Sequence, residues 1–290
     1  MKKIIFLLII ILLTGNIQGQ NIPEKIAENA CKYLKNINDL NILNDSIRGS
    51  LTKSMIEIMK DFTSEEQSKM ITVEDIRGTI HQAYKVLPGL CYNVRKLIIE
   101  NKKSEFYIPS AISKANLHFE RGNNYLQIED YKKAIKEFKS AIKIDPNFIF
   151  AIDHLAIAYR KQKNYTRAIK YYKKSLEIFP EGNLALLNIA VCYTNIEDDT
   201  NAIDTYQKLK FLYPNDPEGY FGLAKLLSIQ EDFENALDNL FVAHRMYIES
   251  NSEYKKDSQK LLDFINARLE KLGKSKLFIE IAKKHNFTVK

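Results

Sequence analysis

Residues 115–148 read ANLHFERGNNYLQIEDYKKAIKEFKSAIKIDPNF, and residues 149–182 read IFAIDHLAIAYRKQKNYTRAIKYYKKSLEIFPEG. Laid one over the other, the two blocks agree at a step of 34, and the step continues through 183–216 and 217–248. Ala134, Ala168, Ala202 and Ala236 share one column, and Gly122, Ala156, Ala190 and Ala224 share a second made of small residues. Tyr125, Tyr159 and Tyr193 form a third, with Leu227 in the fourth place. Phe138, Tyr172, Tyr206 and Leu240 form a bulky column, and Pro146, Pro180 and Pro214 close three of the units. The chain holds only 19 alanines in 290 residues, too few for four to fall into register by chance. A fixed period of this length is the mark of a stacked array of supersecondary units.

Each column has a physical reason. In the first block Tyr125 lies late in one helical run and Ala134 early in the next, with Gln127-Ile128-Glu129-Asp130 between them. Two antiparallel helices of about 12–14 residues with short turns fit such a unit. The small column lets the two backbones approach. The bulky column fills the space between one unit and the next, where a buried aromatic contributes about 1.5–3 kcal/mol. Proline stops the second helix because it lacks an amide hydrogen and clashes with the preceding turn. No unit can bury its apolar faces alone, so stacking is obligatory.

On these columns, the chain resembles the tetratricopeptide repeat family over about 115–248. The residues that carry the match are His118…Arg121-Gly122…Tyr125…Ala134…Phe138…Ala141…Pro146 and their counterparts Ile152…Leu155-Ala156…Tyr159…Ala168…Tyr172…Pro180. They continue as Leu186…Ile189-Ala190…Tyr193…Ala202…Tyr206…Pro214 and Tyr220…Leu223-Ala224…Ala236…Leu240…Ala243. Two departures stand out: the family's leading aromatic survives only as Tyr220, and Ile248 stands where a fourth proline is expected. The resemblance implies an all-α fold, an α-solenoid of four helix pairs over 115–148, 149–182, 183–216 and 217–248. It also implies that the first helix of each pair lines a concave groove for an extended peptide or a helix. That facing selects Asn116, Phe119, Asn123, Phe150, Asp153, Ile157, Leu184, Leu187, Val191, Phe221 and Lys225. The lysine-and-asparagine clamp with which some members hold a terminal carboxylate is absent, since Phe119, His154 and Leu184 stand in its places. The groove is therefore expected to be apolar and aromatic at its centre, and an exposed apolar patch usually marks a binding surface. The competing expectation is that helices flanking the repeats fill it.

The flanks are read from periodicity. Lys2 and Lys3, ten apolar residues from Ile4 to Leu13 and a small residue at Gly19 have the layout of a signal peptide over 1–19. The apolar run is too short to span a bilayer, which takes about 20 residues. The mature chain is thus expected in the periplasm or outside the cell, with no membrane contact required. An oxidising compartment favours disulfides. Cys31 and Cys91 both sit in helical patterns within 20–113, making them the expected pair, while Cys192 lies among the packed repeats as a buried free thiol. Runs at Ile26-Ala30-Tyr33-Leu34-Ile37, Ile47-Leu51-Met55-Ile58, Val73-Ile76-Ile80 and Leu90-Val94-Leu97-Ile98 predict a small helical bundle before the repeats. Asp45-Ser46 and Thr63-Ser64-Glu65-Glu66 offer helix starts, Pro88-Gly89 a break, and Lys102 to Pro109 a linker. Beyond the repeats, over 249–290, Leu261, Ile265, Leu269 and Leu272 mark one capping helix, and Leu277, Phe278 and Ile281 mark a second after Gly273.

The net charge of +7 looks basic only until it is divided. Residues 115–248 carry 17 basic against 18 acidic side chains, and the excess lies at the two ends. A nucleic-acid reader should carry its positive charge on the folded binding face, so no nucleic-acid partner is expected. His81, His118, His154, His244 and His285 show no metal spacing, and no Gly-x-Ser-x-Gly or phosphate-cradling glycine loop occurs. No catalytic residue, metal or cofactor is expected. The leading functional expectation is an exported scaffold that binds a protein or peptide segment, in assembly or maintenance of the cell envelope. A nutrient- or glycan-binding protein is the alternative: the absence of Trp argues against sugar stacking, and the 16 Tyr argue for keeping it. An enzyme confined to residues 21–113 is the third.

Overall fold

The computed structural model describes residues 22–62 and 72–287. The expected signal peptide and the helix start at Thr63-Ser64-Glu65-Glu66 lie outside these residues. The described residues form α-helices and one 3-10 turn, in two compact units that divide between residues 102 and 103.

In the N-terminal unit α1 spans Ile22–Leu34, α2 Leu40–Ile58, α3 Val73–Leu90 and α4 Tyr92–Phe106, the last crossing the division. Ile26, Ala30 and Leu34 of α1, Leu43, Ile47, Leu51 and Met55 of α2, Ala83 and Leu87 of α3, and Val94 and Leu97 of α4 make one buried core. A disulfide joins Cys31 to Cys91, with Cα atoms 5.4 Å apart, and ties α1 to the joint between α3 and α4. Thr72 and Asp75 close a reciprocal capping box at the start of α3.

Several expectations are corrected here. Tyr33 is not core: it faces solvent and its hydroxyl donates to Glu57 of α2 at 2.5 Å. Val73 and Leu90, at the two ends of α3, are exposed, and the helix is held by Ala83 and Leu87 instead. Pro88-Gly89 does not break α3, which runs on to Leu90. Pro88 lies two residues from the end of α3, where its missing amide and ring clash disturb only the last turn, and the carbonyls of Pro88 and Gly89 are taken up by Arg95 Nη1 at 2.8 and 3.0 Å.

In the second unit four helix pairs follow one another. The first helices are α5 Ser113–Gln127, α7 Ile149–Lys161, α9 Asn183–Asn195 and α11 Pro217–Ile229. The second helices are α6 Tyr131–Ile144, α8 Tyr165–Ile178, α10 Asp199–Leu212 and α12 Phe233–Glu249. The turn inside every pair is the same. Glu129, Lys163, Glu197 and Glu231 adopt φ of 59, 60, 59 and 59°. The next residue sends its amide back to the first helix: Asp130 to Tyr125 O, Asn164 to Tyr159 O, Asp198 to Tyr193 O and Asp232 to Leu227 O, at 2.9–3.0 Å. This is a Schellman closure. The same four residues then cap the second helix, each side chain accepting from a backbone amide three residues on. One Asp or Asn thus ends one helix and starts the next, a column that the alanine and tyrosine registers do not reveal.

The second helices stop two residues before Pro146, Pro180 and Pro214, because the residue before a proline is pushed out of the helical region. Where Ile248 replaces proline, α12 runs for 17 residues against 14 in its counterparts. Ala134, Ala168, Ala202 and Ala236 are fully buried. The bulky column sits deeper than expected between units. Phe138 presses on its own pair as well, since a Cβ added at Gly122 would lie 2.5 Å from its ring. Tyr206 meets the next pair, where a Cβ at Gly222 would lie 2.1 Å from its ring.

Past the repeats α13 spans Lys255–Lys271 and α14 Ser275–Lys284. They bury Leu262, Ile265, Leu269, Phe278 and Ile281 in one core with Phe233, Leu237 and Phe241 of α12, as a cap on the last pair. The buried stripe is Leu262-Ile265-Leu269; Leu261 is half-buried, and Leu272 is exposed because it follows the last turn of α13. Asp238 binds Lys284 at 2.7 Å and His285 at 2.8 Å, fastening α14 to α12.

Candidate functional site

The first helices place the eleven expected groove residues in order along the repeats, in different states. Phe119 of α5 and Phe150 of α7 belong to one aromatic group: Phe119 lies 5.1 Å from Phe148, 6.0 Å from Phe150 and 5.0 Å edge-on from His154. Ile157, Leu184, Leu187, Val191 and Phe221 are partly exposed on successive first helices, and Lys225 lays its ammonium over the Phe221 ring at 5.4 Å. Asn123 is partly buried beside them.

Two expected ligand-contacting groups are already engaged. Asn116 donates to Ser110 O at 2.6 Å and accepts from Ser110 N at 3.0 Å. Asp153 is not exposed at all; its Oδ2 accepts from the Tyr107 hydroxyl at 2.6 Å. Burial pushes the Asp153 carboxyl up to about 6, against the opposing pull of its hydrogen bonds. The same burial raises the Tyr107 phenol well above its ordinary value.

Residues 102–109 are therefore not a loose linker. The helix persists to Phe106, which stacks on Phe179 at 5.9 Å. Tyr107 then packs edge-on against Phe150 at 5.3 Å and Phe179 at 5.7 Å. Ser110 closes the segment with a 2.5 Å bond to Asp145. Phe106, Tyr107 and Phe179 belong to the site and were missed by a facing carried over from a repeat pattern. One signal was available: a Phe-Tyr pair is out of place in a solvated linker, which is built from polar and small residues.

No other chemistry converges here. Among the described residues no three His, Cys, Asp or Glu side chains come together as a metal site would require. Cys192 is buried, and its thiol is pushed up to about 11 by desolvation, away from the thiolate that reactive cysteines need. His118, in the family's aromatic position, bonds Glu137 of α6 at 2.6 Å and so joins the two helices of its pair. No helix among the described residues is long and apolar enough to cross a membrane.

Family models described as tetratricopeptide repeat match residues 115–148, 154–181 and 184–216. With the turn geometry above, residues 115–216 belong to the tetratricopeptide repeat family, and the fourth pair continues the same architecture. No curated protein sequence matches the chain. Among solved structures, MamA residues 41 to the end from Desulfovibrio magneticus RS-1 is 20% identical, covering 61% of this chain and 95% of that one at a TM-score of 0.51. A second MamA crystal structure is 18% identical, covering 59% of this chain and 90% of that one at a TM-score of 0.50. These likenesses are of fold.

Proposed function

We propose that this chain is an exported scaffold that binds a protein segment along the first helices of its repeats, in assembly or maintenance of the cell envelope. The observation that carries the reading is the run of partly exposed Ile157, Leu184, Leu187, Val191 and Phe221 on successive first helices. Ile157, Leu184, Leu187 and Phe221 also pack against the repeat cores, and the apolar surface they leave exposed is what a bound segment would cover. The tetratricopeptide identity of residues 115–216 supports a protein-interaction role, and the charge balance of the repeats gives no support to a polyanionic partner. The export part of the reading rests on the layout of residues 1–19.

The test is affinity capture from envelope extract with the chain carrying Leu184→Asp and Leu187→Asp. Both side chains are partly exposed and lie away from the stretch that Tyr107 covers. Partner recovery should fall at least tenfold while the circular dichroism stays unchanged, since two desolvated carboxylates cost several kcal/mol. Undiminished recovery would remove this face from the proposal.

A further inference from the structure

The face at the first two repeats already holds side chains, and they come from the segment that leads into α5. Phe106 stacks on Phe179, and Tyr107 turns its ring edge to Phe150 and Phe179. The Tyr107 hydroxyl then reaches Asp153, a carboxylate with no exposed surface. Directly after these anchors Ile108 and Pro109 stand exposed, and Ser110 is pinned to Asp145 and Asn116. Phe106 is the last residue of α4, and the Tyr107 amide still donates to Lys103 O at 2.9 Å, so the two rings are presented from a helix end, with exposed residues and then polar bonds following them.

The chemistry beneath Tyr107 is selective. A buried carboxylate without a donor is costly, so the position demands a group that is aromatic along its length and donates at its tip. We propose that Phe106-Tyr107 is a resident ligand of the repeat face, and that the face selects segments carrying an aromatic residue followed by tyrosine, which bind by taking its place. This rests on the reading of the first-helix face as a protein-binding surface, and it names the partner's chemistry: a segment with that pair, read at its tyrosine by Asp153. A tethered ligand is present at an effective concentration in the millimolar range, so an outside segment must compete with it. Apparent affinity falls by the fraction of time the site stands open.

The experiment uses the chain's own segment as the probe. A fluorescent peptide of residues 103–110, KSEFYIPS, is titrated into the purified full chain and into the chain carrying Phe106→Ala and Tyr107→Ala. The vacated chain should bind the peptide saturably and at least tenfold more tightly than the unaltered chain. The same peptide with Tyr107→Phe should bind the vacated chain about tenfold less tightly, because it leaves the Asp153 acceptor unpaired; a scrambled peptide should not bind. If circular dichroism shows that the double variant does not fold, the chain with Tyr107→Phe alone decides. It keeps the ring and loses the bond, and should bind the peptide several-fold more tightly than the unaltered chain. A folded vacated chain that does not bind the peptide, or binds it no better than the unaltered chain, overturns the proposal. So does equal binding of the tyrosine and phenylalanine peptides. Neither result touches the capture assay with Leu184 and Leu187, which does not use this peptide.

Discussion

The described residues before 103 (22–62 and 72–102) and residues 115–248 are both helical and both closely packed, yet they solve the packing problem differently. In the repeats whole columns recur: the alanine column is sealed four times, the turn is rebuilt four times with φ near 60°, and one Asp or Asn serves both helices at each turn. Among the described residues of the N-terminal unit nothing recurs. Its core is a single irregular set of side chains, its caps differ from helix to helix, and a covalent bond joins residues 60 apart in sequence. The difference teaches why one region needs a staple. A stacked array gains an interface with every pair added, whereas a bundle of about 80 residues has one small core and marginal stability of its own.

Removing the staple is the severest way to test that contrast. Cys31→Ser with Cys91→Ser should cost about 4 kcal/mol, the chain-entropy value for a closed loop of this size. The loss should appear in hydrogen exchange of α1 to α3, while exchange in α7 to α10 stays as it was. Equal loss of protection in the repeats would show that the two regions do not unfold independently.

A smaller effect comes from a carboxylate that the repeats bury completely. Asp153 has a folded-state value near 6 against an ordinary value of 3.8, so folding favours its protonated form. The stability linked to that proton is complete below about pH 4 and is lost as pH rises through about 6. Asp153→Asn keeps an acceptor for Tyr107 and removes the charge. It should therefore stabilise the chain by about 2–3 kcal/mol at pH 7.5, and the gap between variant and parent should close below pH 4. Urea midpoints at several pH values read this directly, and a gap that is flat with pH would contradict it.

The smallest expected effect tests the sameness of the turns. Glu197 holds a left-handed conformation that costs a side-chain-bearing residue about 1 kcal/mol and costs glycine nothing. Glu197→Gly should raise the melting temperature by a few degrees, and Glu129→Gly, Lys163→Gly and Glu231→Gly should each do the same. Unequal shifts would mean that the four turns are alike in geometry but not in energy.

The repeats were legible because their information is redundant. Ala134, Tyr125 and Pro146 each state the same boundary, and each is restated three or two more times. The N-terminal unit was legible only as helices with a candidate cysteine pair. Tyr33, Val73 and Leu90 misled because an apolar residue at a helix end or beside a polar partner satisfies the same spacing as a core residue. The candidate site was half legible. Its apolar positions from Ile157 to Phe221 follow from the facing of the first helices, but Asp153 and Asn116 were expected to be open and are held by residues 107 and 110.

The amino-acid order alone determined the period, the helix pairs, the proline stops, the small columns and the choice of Cys31 with Cys91, because each depends on local spacing or on chemistry that the residue carries everywhere. Only the tertiary structure decided that Phe106 and Tyr107 lie on the repeat face, that Arg95 rescues the carbonyls around Pro88, and that Asp153 is sealed. Those facts depend on which surfaces meet across the folded chain. A contact between Tyr107 and Asp153, 46 residues apart and outside any repeat, leaves no periodic trace in the sequence.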